Sequence, residues 1–274
     1  MSAELVVIGG GRMGEALAGG LLAAGWAPAE QLVVAEASAD RRAALAAPGA
    51  LGARHPGLAI ADPATLLAGS ASGAVIAVKP GDIPAACAVA RQVAAKRVLS
   101  VAAGVTIDSL TSHLGSGTVV LRAMPNTPAL IGAGAAGLAG GASATDADLA
   151  WGEGILSAVG VAVRVPESAL DAVTGLSGSG PAYVFMLAEA LIDAGVFVGL
   201  ARPLASRLAV QTLLGAARML DETGESPEAL RAAVTSPGGT TASGLRALEQ
   251  GAVRAAVIDA VAAATDRSRE LGQA

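Results

Sequence analysis

The stretch Leu5-Val6-Val7-Ile8-Gly9-Gly10-Gly11-Arg12-Met13-Gly14-Glu15-Ala16-Leu17 places an apolar run, a glycine-rich turn and the start of a helical pattern in direct succession. Its turn has the G-x-G-x-x-G spacing of dinucleotide-binding folds. In that spacing Gly9 permits a tight turn, Gly11 lets the backbone approach a pyrophosphate, and Gly14 lets helix and strand pack closely. The following helix offers unpaired N–H groups and its positive dipole end to the anion. The predicted dinucleotide contacts are Gly9, Gly10, Gly11, Arg12, Met13 and Gly14. The alternative is a plain turn in a chain rich in alanine and glycine.

Four more apolar runs of strand length follow before residue 165. They are Leu32–Ala35, Ala74–Val78, Val98–Val101 and Thr118–Leu121, with helical patterns between them. This alternation is typical of an α/β fold with a doubly wound parallel sheet of the Rossmann type. The chain has 274 residues, and at roughly 150 residues per domain this length favours two domains. We expect residues 1–165 to form the dinucleotide-binding domain.

The strand patterns stop after residue 165, and long helical patterns replace them. The predicted helices are Pro181–Gly195, Pro203–Glu222 and Ala252–Leu271, with apolar residues at three- and four-residue spacing. We expect residues 166–274 to form an all-helical domain for substrate binding and dimerisation. Two segments, Ala182–Leu191 and Leu204–Ala217, carry few charges, so pairing with another copy is predicted to cover them. The alternative is close packing of small side chains within one chain.

Composition limits the class of protein. Hydrophobic residues make up 53% and charged residues 15%, which argues against disorder. The net charge is −5 with no basic stripe, so nucleic acid is not an expected partner. The longest uncharged stretch, Ala123–Thr145, is broken by prolines and glycines, and no membrane span is predicted. The single Cys87 cannot form an internal disulfide and no basic segment precedes Leu5, so we expect a cytoplasmic protein.

Glu36 lies at the end of the second predicted strand, 22 residues beyond Gly14. An acidic side chain there can accept hydrogen bonds from the adenine-ribose diol, which favours NADH. A carboxylate would repel a 2′-phosphate, but Arg41 and Arg42 are close enough in sequence to compensate, so NADPH stays open. The alternative is a solvated surface glutamate.

The side chains that common dehydrogenases use as proton acceptors are missing from the second half of the chain. A hydroxy-acid dehydrogenase needs a proton acceptor beside the nicotinamide, typically His or Lys. His55 and His113, and also Lys79 and Lys96, all lie in the first half. His55, in a turn before Pro56, and His113, at the end of a short helix before Gly115, are both predicted to be surface residues. No metal site is predicted, because the spacing of zinc ligands is absent.

Two segments of the second half are rich in glycine and small hydroxyls. Thr174–Pro181 and Thr235–Thr241 each lead into a helical pattern. Converging N–H groups at a helix start suit a small carboxylate. The alternative is that Ser and Thr act there as helix caps. The presence of two such segments favours substrate binding.

Together with Gly9–Gly14, four further motifs resemble the motif set of the pyrroline-5-carboxylate reductase family. They are Ala77-Val78-Lys79-Pro80, Met124-Pro125-Asn126-Thr127-Pro128, Thr174–Pro181 and Thr235–Thr241. The resemblance covers essentially the whole chain, including Gly244–Glu249. It implies reduction of a cyclic imine, 1-pyrroline-5-carboxylate, to L-proline with NADPH or NADH. It also implies a Rossmann domain and a helical domain that interlocks in a dimer or a larger homo-oligomer.

The resemblance assigns roles residue by residue. It places cofactor contacts at Ala77, Val78, Lys79, Pro80, Ala102, Ala103, Gly104 and Asn126. Lys79 would then bind the cofactor rather than act as a base, and Asn126 would line the nicotinamide side. Thr174 would face the imine nitrogen as the catalytic residue. The implied substrate contacts are Ser177, Gly178, Ser179, Gly239, Thr240 and Thr241. One departure is Ala37, where family members often carry Arg, so the resemblance does not decide between NADPH and NADH.

The chemistry agrees with the missing base, because a protonated pyrroline nitrogen makes the ring carbon electrophilic and positioning can supply much of the rate. Two other functions stay open. A β-hydroxyacid dehydrogenase shares the two-domain plan but needs a lysine in the helical domain. A dinucleotide-sensing regulator would bind the cofactor without turnover.

Overall fold

The computed structural model describes residues 3–68 and 71–273. Within these residues the strands are β1 Ala3–Ile8, β2 Leu32–Ala35, β3 Ala59–Ala61, β4 Ala71–Ile76, β5 Arg97–Ser100, β6 Val119–Pro125, β7 Gly134–Gly140 and β8 Gly160–Arg164. They form one sheet in the order β3-β2-β1-β4-β5-β6-β7-β8. Strands β6 and β7 pair antiparallel, and the other neighbouring pairs are parallel. The sheet is thus the doubly wound type that the sequence predicts.

Twelve α-helices occur in the described part of the chain. They are α1 Arg12–Ala23, α2 Ala39–Ala46, α3 Leu51–Arg54, α4 Ile83–Gln92, α5 Ile107–Leu114, α6 Asp146–Ser157, α7 Leu170–Val173, α8 Gly180–Phe197, α9 Arg202–Thr223, α10 Pro227–Ala233, α11 Thr240–Gln250 and α12 Val253–Gln273. A five-residue π-helical segment, Thr174–Gly178, joins α7 to α8 and is called the π turn below.

Two apolar clusters cover the two faces of the sheet. Alternate residues of β1 divide between them, with Val6 and Ile8 in one cluster and Leu5 and Val7 in the other. Helices α4 and α5 pack on the first face, and α1 and α6 pack on the second. A central parallel strand that is buried on both faces needs a continuous apolar run, which is why Leu5–Ile8 is so clear in the sequence.

The predicted secondary structure is confirmed where apolar runs are continuous. All five predicted strands occur, with ends shifted by up to four residues, and strands stop at Arg164. The sequence missed β3, β7 and β8. Strand β7 contains three glycines, and a side chain at Gly137 would lie 3.0 Å from Val173, so close packing of α7 removes the residues that favour strands.

By its internal contacts the chain divides into two compact units. The first holds the residues up to Ser179 together with those from Ala262 onward, and the second holds Gly180–Val261. The boundary between the units therefore lies later in the chain than the predicted boundary at residue 165, and the second half of α12 belongs to the first unit. The expected domains, 1–165 and 166–274, stay a prediction.

The helices of the second unit expose large apolar side chains. Phe185 is 63% exposed, Met186 67% and Leu208 51%. By length and composition alone, the helical stretch Glu167–Phe197 could cross a membrane. Its most apolar part is not buried in the single chain. The expectation of no membrane span therefore stays a prediction. The exposed surface is the one that the sequence predicts a second copy to cover.

Asp148 gives the fold a pH-dependent element. Its carboxylate accepts hydrogen bonds from the Thr145 hydroxyl at 2.6 Å and the Thr145 N–H at 2.9 Å, and it pairs with Arg97 at 2.7 Å. The hydrogen bonds from Thr145, and then the charge of Arg97, hold the pKa of the buried Asp148 carboxyl below its ordinary value. The folded state is therefore stabilised above a pH of about 4, and this contribution is lost as the pH falls through the lowered pKa.

We expect Asp148→Asn to lower the free energy of unfolding by about 1–3 kcal/mol at pH 7. The difference from wild type should shrink as the pH falls below ~4, because the carboxyl is protonated first in the unfolded chain and then, at its lowered pKa, in the folded protein. Denaturant unfolding at several pH values measures it. Asp146→Asn is the control, since Asp146 is 97% exposed and should matter by less than about 0.5 kcal/mol. A difference that stays constant from pH 7 to pH 3 would contradict the assignment.

Candidate functional site

The glycine-rich turn follows β1 as the sequence predicts. Gly9 has a φ of +102°, and its N–H donates to the Ala35 carbonyl oxygen at 2.8 Å. A β-carbon at Gly9 would lie 2.6 Å from the Ala77 carbonyl oxygen, and one at Gly14 would overlap the Gly9 carbonyl oxygen. Both positions therefore require glycine, one for its positive φ and close strand contact, the other for packing of α1 on the turn.

Gly11 differs from these two glycines, because its backbone and its packing do not require glycine. Its φ is −64°, and no atom lies within 4 Å of the place where a β-carbon would stand. The open space lies at the N-terminus of α1, where unpaired N–H groups bind anions. The turn therefore fits the pyrophosphate of a dinucleotide, which needs this close approach to the backbone.

Glu36, which follows β2, is hydrogen-bonded to the glycine-rich turn. One carboxylate oxygen accepts the Gly10 N–H at 2.8 Å, and the other accepts the Ser38 N–H at 2.8 Å. An ionised carboxylate has about four acceptor positions, so two remain for a ribose diol. The half-buried Glu36 is thus part of the turn's architecture as well as a candidate ribose ligand.

The two arginines near Glu36 are each paired with another acid. Arg41 bonds the Gly10 carbonyl oxygen at 2.7 Å and pairs with Glu15 at 2.5 Å. Arg42 pairs with Asp62 at 3.0 Å and donates to the Glu36 carbonyl oxygen at 2.7 Å. Their charge is therefore largely neutralised locally, which the sequence could not indicate. Arg12 lies exposed in the first turn of α1.

The segments after β4 and β5 lie at the same edge of the sheet. Ala77, the residue after β4, donates its N–H to the Ile8 carbonyl oxygen at 2.8 Å, and Val101 donates to Ile76 at 3.0 Å. The predicted cofactor segment Ala77–Pro80 therefore follows β4, the neighbour of β1, and Ala102–Gly104 follows β5, the next strand along the sheet. Ligands of open α/β sheets bind at this carboxyl edge.

The Thr174–Pro181 segment differs from the predicted loop. It is helical except for Ser179, which alone separates the π turn from α8 and whose N–H donates to the Thr174 carbonyl oxygen at 2.8 Å. The prediction of a free helix N-terminus there is wrong. Gly178 instead allows close packing, since a β-carbon there would lie 3.1 Å from Met124, whereas no atom lies within 4 Å of a β-carbon position at Gly180. Single π-helical turns are frequent at functional sites.

The hydroxyls of the π turn are oriented by the preceding helical turn. Thr174 donates its hydroxyl to the Leu170 carbonyl oxygen at 2.8 Å, and Ser177 donates to Val173 at 3.0 Å. Each hydroxyl has one donor and two acceptor lone pairs. With the donor used, the Thr174 oxygen is suited to accept a hydrogen bond from a ligand.

Asn126 is buried, and its side-chain amide bonds the backbone at both ends. The amide nitrogen donates to the Ser177 carbonyl oxygen at 3.0 Å, and the amide oxygen accepts the Ala135 N–H at 2.9 Å. Its contact with a nicotinamide stays a prediction. The structure adds a connection between the end of β6, the start of β7 and the π turn.

A cavity of about 400 Å³ brings several predicted residues together within the first unit. Pro80, Ala103 and Gly104 line it beside Thr174 and Ser179. Of the described residues, neither histidine is among those that line it. Predicted cofactor and substrate residues therefore share one space.

The C-terminal helix supplies a wall of this cavity that the sequence analysis missed. The lining residues from α12 are Ala264, Arg267, Ser268 and Leu271. The buried Ser268 donates its hydroxyl to Asp171 at 2.7 Å, which fixes α12 against α7. No local pattern indicated this contact, because it joins residues 97 positions apart.

The second hydroxyl-rich segment belongs to the second unit. Gly238 has a φ of +68°. Gly239 is the N-cap of α11, and its N–H donates a hydrogen bond to the Ser236 carbonyl oxygen at 3.0 Å. Because the N-cap is a glycine, no side chain caps this helix. The capping alternative therefore does not explain Thr240 and Thr241, which follow the cap.

Comparisons with known proteins cover almost the whole chain. The family described as "Pyrroline-5-carboxylate reductase dimerisation" matches residues 167–271, and "NADP oxidoreductase coenzyme F420-dependent" matches residues 4–104. The pyrroline-5-carboxylate reductase of Mycobacterium leprae is 45% identical, over 98% of this chain and 97% of that protein.

Solved structures agree with these matches. A pyrroline-5-carboxylate reductase from Coxiella burnetii superposes with a TM-score of 0.89 at 36% identity, covering 99% of both chains. The Plasmodium falciparum pyrroline carboxylate reductase with NADP bound has a TM-score of 0.80 at 31% identity, covering 98% of both. The predicted fold class, with a Rossmann-type domain followed by a helical dimerisation domain, is confirmed.

We expect Gly11→Ala to weaken NAD(P)H binding at least tenfold without loss of folding, because the added methyl enters the open space at the turn while the backbone tolerates alanine. Coenzyme titration by fluorescence measures the dissociation constant, and thermal unfolding checks the fold. Gly117→Ala is the matched control, since Gly117 also has nothing within 4 Å but lies in the loop before β6. Equal binding by both variants would place the pyrophosphate elsewhere.

Proposed function

The chain belongs to the pyrroline-5-carboxylate reductase family, and from that premise we propose that it reduces 1-pyrroline-5-carboxylate to L-proline with NAD(P)H, the last step of proline biosynthesis. The observation that carries the proposal is the shared cavity, where the coenzyme-edge residues Pro80, Ala103 and Gly104 lie beside Thr174 and Ser179. A reductase needs this arrangement, because hydride donor and acceptor must be held about 3–3.5 Å apart.

The reaction requires that the imine be oriented toward the hydride donor, and it does not require a strong acid. When bound, the dihydronicotinamide supplies the hydride to the imine carbon. The protonated imine nitrogen carries an N–H, and Thr174 can accept it because its own hydroxyl proton is committed to Leu170. Thr174 thereby fixes the ring while the surrounding apolar wall limits water. This assigns the threonine an orienting role and requires neither histidine.

We propose the remaining site residues by matching them to the family motifs. The pyrophosphate lies on Gly9–Gly14, and the rest of the coenzyme contacts Glu36, Ala77–Pro80, Ala102–Gly104 and Asn126. The substrate contacts are Ser177, Gly178 and Ser179, together with Gly239, Thr240 and Thr241 for the carboxylate. Support for the last three comes from the glycine N-cap of α11, which leaves N–H groups and hydroxyls for an anion.

Self-association follows from the dimerisation family, which covers residues 167–271. We propose that the exposed apolar faces of α8 and α9 form the contact between copies and that the assembly is at least a dimer. We further propose domain limits of 1–165 and 166–274, a soluble cytoplasmic enzyme, and no membrane or nucleic-acid partner.

We propose that NADH is preferred over NADPH. Two carboxylate acceptor positions of Glu36 remain for the ribose hydroxyls, whereas a 2′-phosphate about 4 Å away would be repelled by roughly 1–4 kcal/mol. The structure holds Arg41 against Glu15 and Arg42 against Asp62. Both arginines are thus partly neutralised, so the positive charge that could compensate the repulsion between Glu36 and a 2′-phosphate is reduced.

The function is tested by following coenzyme oxidation with 1-pyrroline-5-carboxylate, which should be required for turnover. Thr174→Ala should lower kcat, because the nitrogen is then unoriented during hydride transfer. Thr241→Ala should mainly raise the imine KM by about 2–10-fold, the equivalent of a lost hydroxyl hydrogen bond of about 0.5–1.5 kcal/mol. Coenzyme binding should change little in either variant. Turnover of 3-hydroxy acids without imine reduction would refute the proposal.

The coenzyme preference is tested by the ratio of kcat/KM for NADH to that for NADPH, which we expect to exceed about 10 in the wild type. Asp62→Asn should lower this ratio by improving NADPH use, because Arg42 loses its acid while Asn keeps the cap on the Ala64 N–H. Asp146→Asn is the control, because it removes one of the two acids that pair with Arg164, outside the glycine-rich turn. A wild-type preference for NADPH would refute the role of Glu36.

A further inference from the structure

Asn126 is the only asparagine among the 274 residues, and it is 9% exposed. It precedes the short 3₁₀ helix Thr127–Ile131 as its N-cap, yet its side chain makes no capping hydrogen bond there. Asparagine at an N-cap ordinarily accepts an N–H of the following turn. The role of a local turn residue therefore does not account for this side chain.

The amide is used instead between distant segments. Its nitrogen reaches the Ser177 carbonyl oxygen, 51 positions away, and its oxygen receives the Ala135 N–H. The amide supplies both the donor and the acceptor that these opposite backbone groups need, which a carboxylate or a hydroxyl of this size supplies less well. One buried side chain thus fastens the π turn to the paired ends of β6 and β7.

The fastened segment is the one that carries Thr174. The bond from the Ser179 N–H to the Thr174 carbonyl oxygen closes the wide π turn around Ser177, at 2.8 Å. On the other side of this segment, Ser268 of α12 bonds Asp171. Two long-range side-chain bonds therefore hold the segment that carries Thr174, and Asn126 supplies the one from the end of β6.

We propose that Asn126 is a positioning residue for imine reduction: it holds the π turn so that the Thr174 hydroxyl meets the imine nitrogen during hydride transfer. This inference rests on the proposed function, because it gives Thr174 the orienting role. It extends that function by assigning the alignment of the catalytic threonine to a residue of the first domain that is expected to contact the coenzyme.

Two variants separate alignment from folding. Asn126→Asp is nearly isosteric and keeps an oxygen for the Ala135 N–H, but it replaces the donor to Ser177 by an acceptor. Asn126→Ala removes both bonds. We expect kcat with saturating imine and saturating NADH to fall at least tenfold in both, and fluorescence titration measures any change in the dissociation constant for NADH separately. A loss of NADH binding with unchanged kcat would assign Asn126 to the coenzyme alone and overturn the proposal.

A double-mutant cycle tests the route through Thr174. If Asn126 acts by placing this hydroxyl, Asn126→Asp should lower kcat by less than twofold in the Thr174→Ala background. Equal fold losses in the two backgrounds would overturn the proposal. Thr145→Ala is the control for general destabilisation, because it removes a capping hydrogen bond of α6 remote from the π turn; it should lower the melting temperature without changing kcat.

The outcomes separate the two hypotheses. If the wild type reduces the imine, and Thr174→Ala lowers kcat while neither Asn126 variant does, the positioning role fails and the function stands. If the wild type does not oxidise NADH or NADPH with the imine, the function fails and the positioning role fails with it. Should Asn126→Ala not fold, Asn126→Asp alone completes the cycle.

Discussion

The close contact between β1 and β4 at the centre of the sheet is the constraint on which the rest of the structure depends. Strand β2 pairs with one side of β1 and strand β4 pairs with the other, so the order of the strands in the sheet reverses at β1. Gly9 fits against the Ala77 carbonyl oxygen only because it lacks a side chain. The turn, the segment after β4 and the start of α1 are thereby brought to one edge, which is where open α/β sheets bind nucleotides.

The proposed imine reduction also needs a fixed hydroxyl that has no titrating partner. The helical run that begins at α7 widens into the π turn at Thr174, and the hydroxyls of Thr174 and Ser177 each donate to a carbonyl oxygen four residues earlier. A hydroxyl whose proton is already donated can only accept. This property suits a protonated imine, because the substrate supplies the N–H and the protein has no need of a base.

The polar side chains around the glycine-rich turn are also bonded within the protein. Glu36 bonds two backbone N–H groups, while Arg41 and Arg42 are each held by an acid and by backbone carbonyl oxygens. These pairs are partly exposed, and each contributes modestly to stability. Their larger consequence is electrostatic, because they reduce the positive charge available at the edge where a 2′-phosphate would lie.

The sequence alone determined the Rossmann-type sheet, the change to helices after residue 165, the glycine-rich turn and the family. Each of these is encoded in contiguous residues, because a doubly buried strand needs an unbroken apolar run and a pyrophosphate turn needs fixed glycine spacing. Only the tertiary structure decided that Thr174–Pro181 is a π turn, that Asn126 spans to Ser177, and that α12 lines the cavity. Glycine marks loops and close packing alike, so the local pattern could not distinguish them. The pairs Asn126–Ser177, Arg42–Asp62 and Ser268–Asp171 join residues 51, 20 and 97 positions apart. Such pairings are decided by how the sheet and helices pack rather than by any local periodicity.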